Sequence, residues 1–276
     1  MKVQEGNRAS TALLLTLCAA AAPATALADG WSYSTGADYT QGDYGAGQDT
    51  SIVVAPLSAR YDAERWRAAL TITYVSVEGA GGVIPGAGSA FGAGSPLSSV
   101  ADPLFGVGGP AQPPLVTPSV EAQGLGDTTL ELGFTPLAEA NGARISLSGA
   151  VRLPTGNEER SLGAGETVFS LAAGAAHPVG QRSAVYAAIG YTHAAESDDG
   201  AAFASGGFES RIADSWVLGA SGDWSDSRVA GAAGRTQLTL YSGFSLSTDV
   251  QLAAYALAGL SDTAPELGGG IRLTVR

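Results

Sequence analysis

Two histidines, His177 and His193, are the only side chains in this sequence whose ordinary pKa lies near neutrality, so an acid–base enzyme of the usual kind would have to be built on one of them. His177 precedes Pro178 in a stretch that reads as a short turn. His193 stands near the end of a strand-like segment, and the position two residues on, which shares its face of a strand, is Ala195 rather than a serine. Its own strand face therefore brings it no nucleophile at that position. The one cysteine, Cys18, lies in the N-terminal apolar stretch. Glu196, Asp198 and Asp199 offer oxygen ligands for a divalent cation, but with Gly200 after them they read as a solvated acidic turn. Leu153-Pro154-Thr155-Gly156 has no anchoring tail behind it, and the glycine clusters near Gly81 and Gly106 do not join a strand to a helix, as a phosphate loop requires. No catalytic residue, metal site or cofactor is expected. The remaining chemistry belongs to charges set singly inside apolar segments, and the elements that carry them must be found first.

Residues 1–28 have the three parts of a secretory signal: Lys2 and Arg8, an apolar stretch from Thr11 to Ala22, and the small-residue box Ala26-Leu27-Ala28. Cleavage is expected before Asp29, which makes 29–276 the folded domain. A lipoprotein signal is disfavoured because Leu17 precedes Cys18 where a small residue is needed. Of 14 basic and 26 acidic residues, the signal takes Lys2, Arg8 and Glu5, leaving 12 against 25 and no lysine. So acidic a chain lacks the basic footprint of nucleic-acid binding.

No apolar run after Asp29 is long enough for a membrane helix, yet 45% of the residues are hydrophobic. Alternation reconciles the two. In Trp66 to Tyr74, the residues Trp66, Ala68, Leu70, Ile72 and Tyr74 fall on one face, and Arg67, Ala69, Thr71 and Thr73 on the other. Eight residues at about 3.4 Å each, tilted near 40°, climb roughly 20 Å, so two aromatics at that spacing reach opposite membrane interfaces. Trp216 and Trp224 repeat it. The template predicts strands near 30–41, 48–60, 64–78, 124–137, 142–154, 165–177, 182–195, 201–213, 214–226, 234–247, 249–260 and 265–276. The connections alternate between short links and longer Gly-rich or acidic loops. This predicts an all-β fold: a closed antiparallel transmembrane barrel of about twelve strands, with short periplasmic turns and long extracellular loops. Its surroundings would be outer-membrane lipid and lipopolysaccharide. The loop from Gly79 to Gln123 is the irregularity, and it is expected either to fold inward and narrow the barrel or to extend outside.

If the apolar parity faces lipid, the opposite parity places Arg65, Arg67, Glu131, Arg144, Arg152, Glu209, Arg211, Asp223 and Arg272 in the lumen, because a charge at the lipid-facing midplane costs about 2–4 kcal/mol. Those residues are candidates either for tuning a pore or for an internal salt-bridge network. Trp66, Tyr74, Trp216 and Trp224 are the candidate interface aromatics.

Five pieces then carry a resemblance: Thr40-Gln41-Gly42-Asp43-Tyr44-Gly45, Gly124-Leu125-Gly126-Asp127, Leu153-Pro154-Thr155-Gly156, Leu162-Gly163-Ala164-Gly165 and Gly268-Gly269-Gly270. In order and spacing the chain resembles the meta-pathway phenol-degradation family of outer-membrane, transporter-like β-barrels. The resemblance implies a barrel that moves hydrophobic or aromatic small solutes and is inserted by the outer-membrane assembly machinery. The C-terminal Leu273-Thr274-Val275-Arg276 departs from the aromatic ending common in such barrels. Passive passage of a small solute is the leading expectation. A closed structural or surface-interaction barrel is the other, and an outer-membrane phospholipase, which places a serine two residues after its histidine, is remote because Ala195 stands there.

Overall fold

A computed structural model describes residues 30–45, 47–80, 119–138, 143–197, 199–226 and 234–276. The expected signal segment, the bulk of the long loop (81–118) and Asp198 lie outside the described residues.

Twelve antiparallel strands form one closed barrel in which each strand pairs with its neighbours in sequence and β12 returns to β1. They are β1 (Trp31–Gly42), β2 (Thr50–Asp62), β3 (Trp66–Ala80), β4 (Ser119–Ala138), β5 (Arg144–Leu153), β6 (Val168–Val179), β7 (Ser183–Ala194), β8 (Gly200–Ala213), β9 (Trp216–Ser225), β10 (Arg235–Ser245), β11 (Val250–Gly259) and β12 (Leu267–Val275). The strand expectations hold to within a few residues, with one larger difference at β3 and β4. Ala80 pairs with Ser119 and Gly79 with Val120, so both ends of the expected long loop belong to the sheet. The reason is local alternation: Val75 and Val77 on β3 and Ala122 on β4 are buried on the inner side and extend the hairpin. Short connections at 63–65, 180–182, 214–215 and 246–249 share one end with both termini, which marks that end as periplasmic.

The two parities behave as different solvents would dictate. On β3, Trp66, Ala68, Leu70 and Ile72 are exposed while Arg67, Ala69 and Thr71 are less so. Large apolar residues such as Leu171, Ile189, Leu240 and Leu267 stand exposed around the wall, which suits a hydrocarbon surrounding. Trp66, Trp216 and Trp224 are on this outer face and are partly exposed; Tyr74 shares their parity and is half-buried. Directly paired residues run Trp66, Phe134, Leu147, Ala173, Ile189, Ala204, Trp224, from the periplasmic end of β3 to the outer end of β9. Because hydrogen-bonded rows lie across the strands, that climb reports the tilt that closing a barrel imposes.

Candidate functional site in the barrel lumen

The inner parity gathers the candidate charges at three levels. At the periplasmic mouth a cavity of about 320 Å³ is lined by Arg67, Glu131, Arg144 and Arg65, together with Asp62 and Ser146. Asp62 is shared here, by Arg60 Nε at 2.7 Å and Arg67 Nε at 3.1 Å. Arg65 reaches this cavity from the exposed turn before β3 and not from the wall itself, because parity holds only where the chain is extended. Arg211 occupies the inner parity near the periplasmic end of β8, opposite Val217.

Midway up, two hydrogen-bonded networks line the wall. Glu209, fully buried, is reached by the Tyr241 hydroxyl at 3.4 Å, and the hydroxyls of Tyr241 and Tyr186 lie 3.0 Å apart. Across the closing seam, Asp38 accepts from the Tyr255 hydroxyl at 2.9 Å and from Arg272 Nη2 at 3.4 Å. Asp223 is buried beside Gln237, its paired residue on β10, and accepts from Ser221. These charges sit in internal networks and leave the rings of Tyr186, Tyr241 and Tyr255, with Leu257, Ala176, Ala188 and Ala253, as one buried apolar cluster. Tyr241→Phe is expected to lower the midpoint of chemical unfolding in lipid vesicles by the equivalent of about 1–3 kcal/mol, because it deprives buried Glu209 of a donor.

At the outer mouth the β5–β6 loop turns inward. Residues 157–160 are exposed, a single 3-10 turn (Glu158–Arg160) reverses the chain, Ser161 adopts the left-handed conformation at φ 57°, and Ser161, Leu162, Gly163 and Ala164 are buried in succession. Asp127 on β4 holds this segment at both ends. Its Oδ1 accepts from the Gly156 amide at 3.1 Å and its Oδ2 from the Ala164 amide at 2.8 Å, with Arg152 Nε 3.6 Å away. Thr155 adds a bond to the Gly126 carbonyl at 3.0 Å. Leu162 then packs with Tyr44, Ile52, Val54, Val75, Val77 and Ala122, contributed by the first loop and the inner faces of β2, β3 and β4. Tyr44, at φ 51°, is fixed by its hydroxyl bond to Thr40, 2.7 Å long.

The family model described as "Putative MetA-pathway of phenol degradation" matches residues 41–276. The chain belongs to this family. No curated protein matches the sequence. Among solved structures, the COG4313 outer membrane channel from Pseudomonas putida F1 superimposes with a TM-score of 0.61 at 14% identity, covering 92% of this chain and 98% of that one. A KdgM porin gives 0.52 at 6% identity over 89% and 98%. The translocator domain of the autotransporter NalP from Neisseria meningitidis gives 0.52 at 11% over 97% and 95%. At these identities the likeness is one of fold, and the fold is that of outer-membrane barrels.

In this member of the phenol-degradation family, the sequence pieces that carried the resemblance converge on the lumen. A Cβ at Gly124 would meet Leu162 Cδ1 at 3.0 Å, and one at Gly126 the Leu162 carbonyl at 3.1 Å, so both glycines let the inward loop lie against β4. A Cβ at Gly270 would collide with the Asp38 carboxylate and the Tyr255 ring. Neither histidine joins the site: both share the outward parity, His177 paired with Val185 on β7 and His193 with Phe169 and Gly200. Asp38, Asp62, Asp127 and the three tyrosines are lumen-side candidates that parity reasoning on the nine charges missed.

Proposed function

We propose that the protein is a non-enzymatic outer-membrane channel giving passive passage to a small apolar or aromatic solute. The observation that carries this reading is the character of the inner wall. In a water-filled porin the interior is polar. Here the inward side chains gather into two apolar clusters, one of Leu162 with Ile52, Val54, Val75 and Val77 and one of Tyr186, Tyr241, Tyr255 and Leu257, set among polar stretches that include Thr192, Ser205, Ser221, Asp223, Gln237 and Thr239. An apolar solute loses little against these clusters, whereas a sugar or hydrated ion passing them would shed water without replacement bonds there. Three neighbours carry transport in their descriptions, one as a monoaromatic hydrocarbon channel, one as a toluene transporter and one as an outer membrane channel, and only the last of them superimposes well enough to bear on this fold.

The opposing reading, a closed structural barrel, is favoured by the buried cluster around Leu162. Proteoliposomes separate the two. Phenol is expected to enter vesicles carrying the protein faster than protein-free vesicles, with glucose unchanged. Equal rates for phenol with and without protein would sink the channel reading.

A further inference from the structure

We propose that Leu162 sets the size limit of the outer mouth and that Asp127 is the positioning residue that holds it there; this rests on the channel reading above. Two described extracellular connections send a side chain into the apolar cluster on the inner faces of β2, β3 and β4: Tyr44 from the β1–β2 loop and Leu162 from the β5–β6 loop. Leu162 is 3% exposed although it belongs to a loop of glycines and acidic residues. Its seat is shaped for it. Gly124 and Gly126 clear the wall of β4, Val75 and Val77 supply the apolar floor, and Tyr44 closes from the first loop.

The exposed residues 157–160 close the turn on itself, the Asn157 carbonyl accepting from the Leu162 amide at 3.0 Å and the Glu158 carbonyl from the Ser161 amide at 2.8 Å, but these bonds do not tie the turn to the wall. The restraint comes from Asp127, whose two carboxylate oxygens accept from amides on either side of the turn, Gly156 and Ala164. A carboxylate bridging both ends of a loop fixes where its apex lies, and charge-assisted bonds of this kind are about twice as strong as neutral ones. Arg152, on the strand that leads into the loop, stands against the same carboxylate. The loop is thus positioned by β4 and filled by Leu162, and a solute entering from outside must pass the leucine.

The test uses the full-length protein in proteoliposomes, with phenol and the larger 2-naphthol as probes, and heat-modifiable migration to verify folding. Leu162→Ala is expected to raise the ratio of naphthol to phenol entry by roughly threefold or more, since pore cross-section governs the larger probe first. Asp127→Asn keeps the shape and gives up one acceptor. It should accelerate hydrogen exchange at the Gly156 and Ala164 amides by about tenfold and shift the probe ratio in the same direction. If wild type passes phenol and Leu162→Ala leaves the ratio unchanged, the size-limit role falls while the channel stands. If wild type passes neither probe and Leu162→Ala admits phenol, the leucine is confirmed as the barrier and passive passage in the wild type falls. If both are silent, both readings fall. Faster amide exchange in Asp127→Asn with an unaltered ratio would overturn the role of Asp127 alone.

Discussion

Ile189→Arg is expected to leave most of the protein unfolded after refolding into lipid vesicles, with the heat-modifiable form lost on gels. Ile189 is 67% exposed in the middle of β7, on the outward parity and in the paired row that joins Trp66 to Trp224. A guanidinium there faces hydrocarbon at about the depth where the penalty is largest, roughly 2–4 kcal/mol. Against a total stability of about 5–15 kcal/mol, that is enough to shift refolding yield strongly. The matched control is Ala63→Arg, in the exposed turn between β2 and β3, where the same charge meets water and should cost nothing measurable. Equal yields for the two variants would mean that the apolar parity does not face lipid, and the lumen assignments would reverse with it.

Asp38→Ala should be the most damaging single change inside the lumen. It takes from Arg272 a buried carboxylate and from the Tyr255 hydroxyl its acceptor. Removing one member of a buried ion pair costs about 3–5 kcal/mol, whereas replacing both by apolar groups is often close to neutral. The double change Asp38→Leu with Arg272→Met is therefore expected to recover most of the unfolding midpoint lost by Asp38→Ala, as measured by denaturant titration in vesicles. The same double variant decides what the pair is for. If it stiffens the wall, cation-over-anion preference in a planar bilayer stays as in the wild type. A changed preference at recovered stability would make Asp38 and Arg272 pore-tuning charges instead.

The sequence made the outer wall legible because β3 and β9 carry large apolar residues against small or charged ones, and the spacing of Trp216 and Trp224 reappears as the two ends of β9. The inner wall was harder to read. On β1, Ser32, Thr35, Thr40 and Gln41 put polar residues on both faces, so no stripe identifies Asp38 as inward. Tyr186, Tyr241 and Tyr255 face the lumen although aromatics elsewhere mark the membrane interface. What permits them is on the neighbouring strand: Gly207 lies beneath Tyr186, Gly219 beneath Tyr241 and Gly270 beneath Tyr255. Such pairs become visible only once the register is known. The inward loop was missed for a related reason. Glycines and glutamates read as a solvated connection, and its tie to Asp127 spans residues far apart in sequence.

The buried pair at the seam bears on how the barrel is made. Asp38 and Arg272 are 234 positions apart, and the strands that carry them are the first and the last. Bringing them together is the contact with nearly the greatest loop-closure entropy the chain can offer, and such contacts form late. Every other ladder can grow from a hairpin; this one must wait until the other eleven ladders have curled the ribbon far enough for its ends to meet. The molecule sets a carboxylate, a guanidinium and a phenol at that junction, where zipping by neighbours gives no help. A ribbon that stopped short of closure would leave Asp38 on one free edge and Arg272 on the other, with the Tyr255 hydroxyl one strand in from it, and the energy of joining the carboxylate to both would be released only when the ends met.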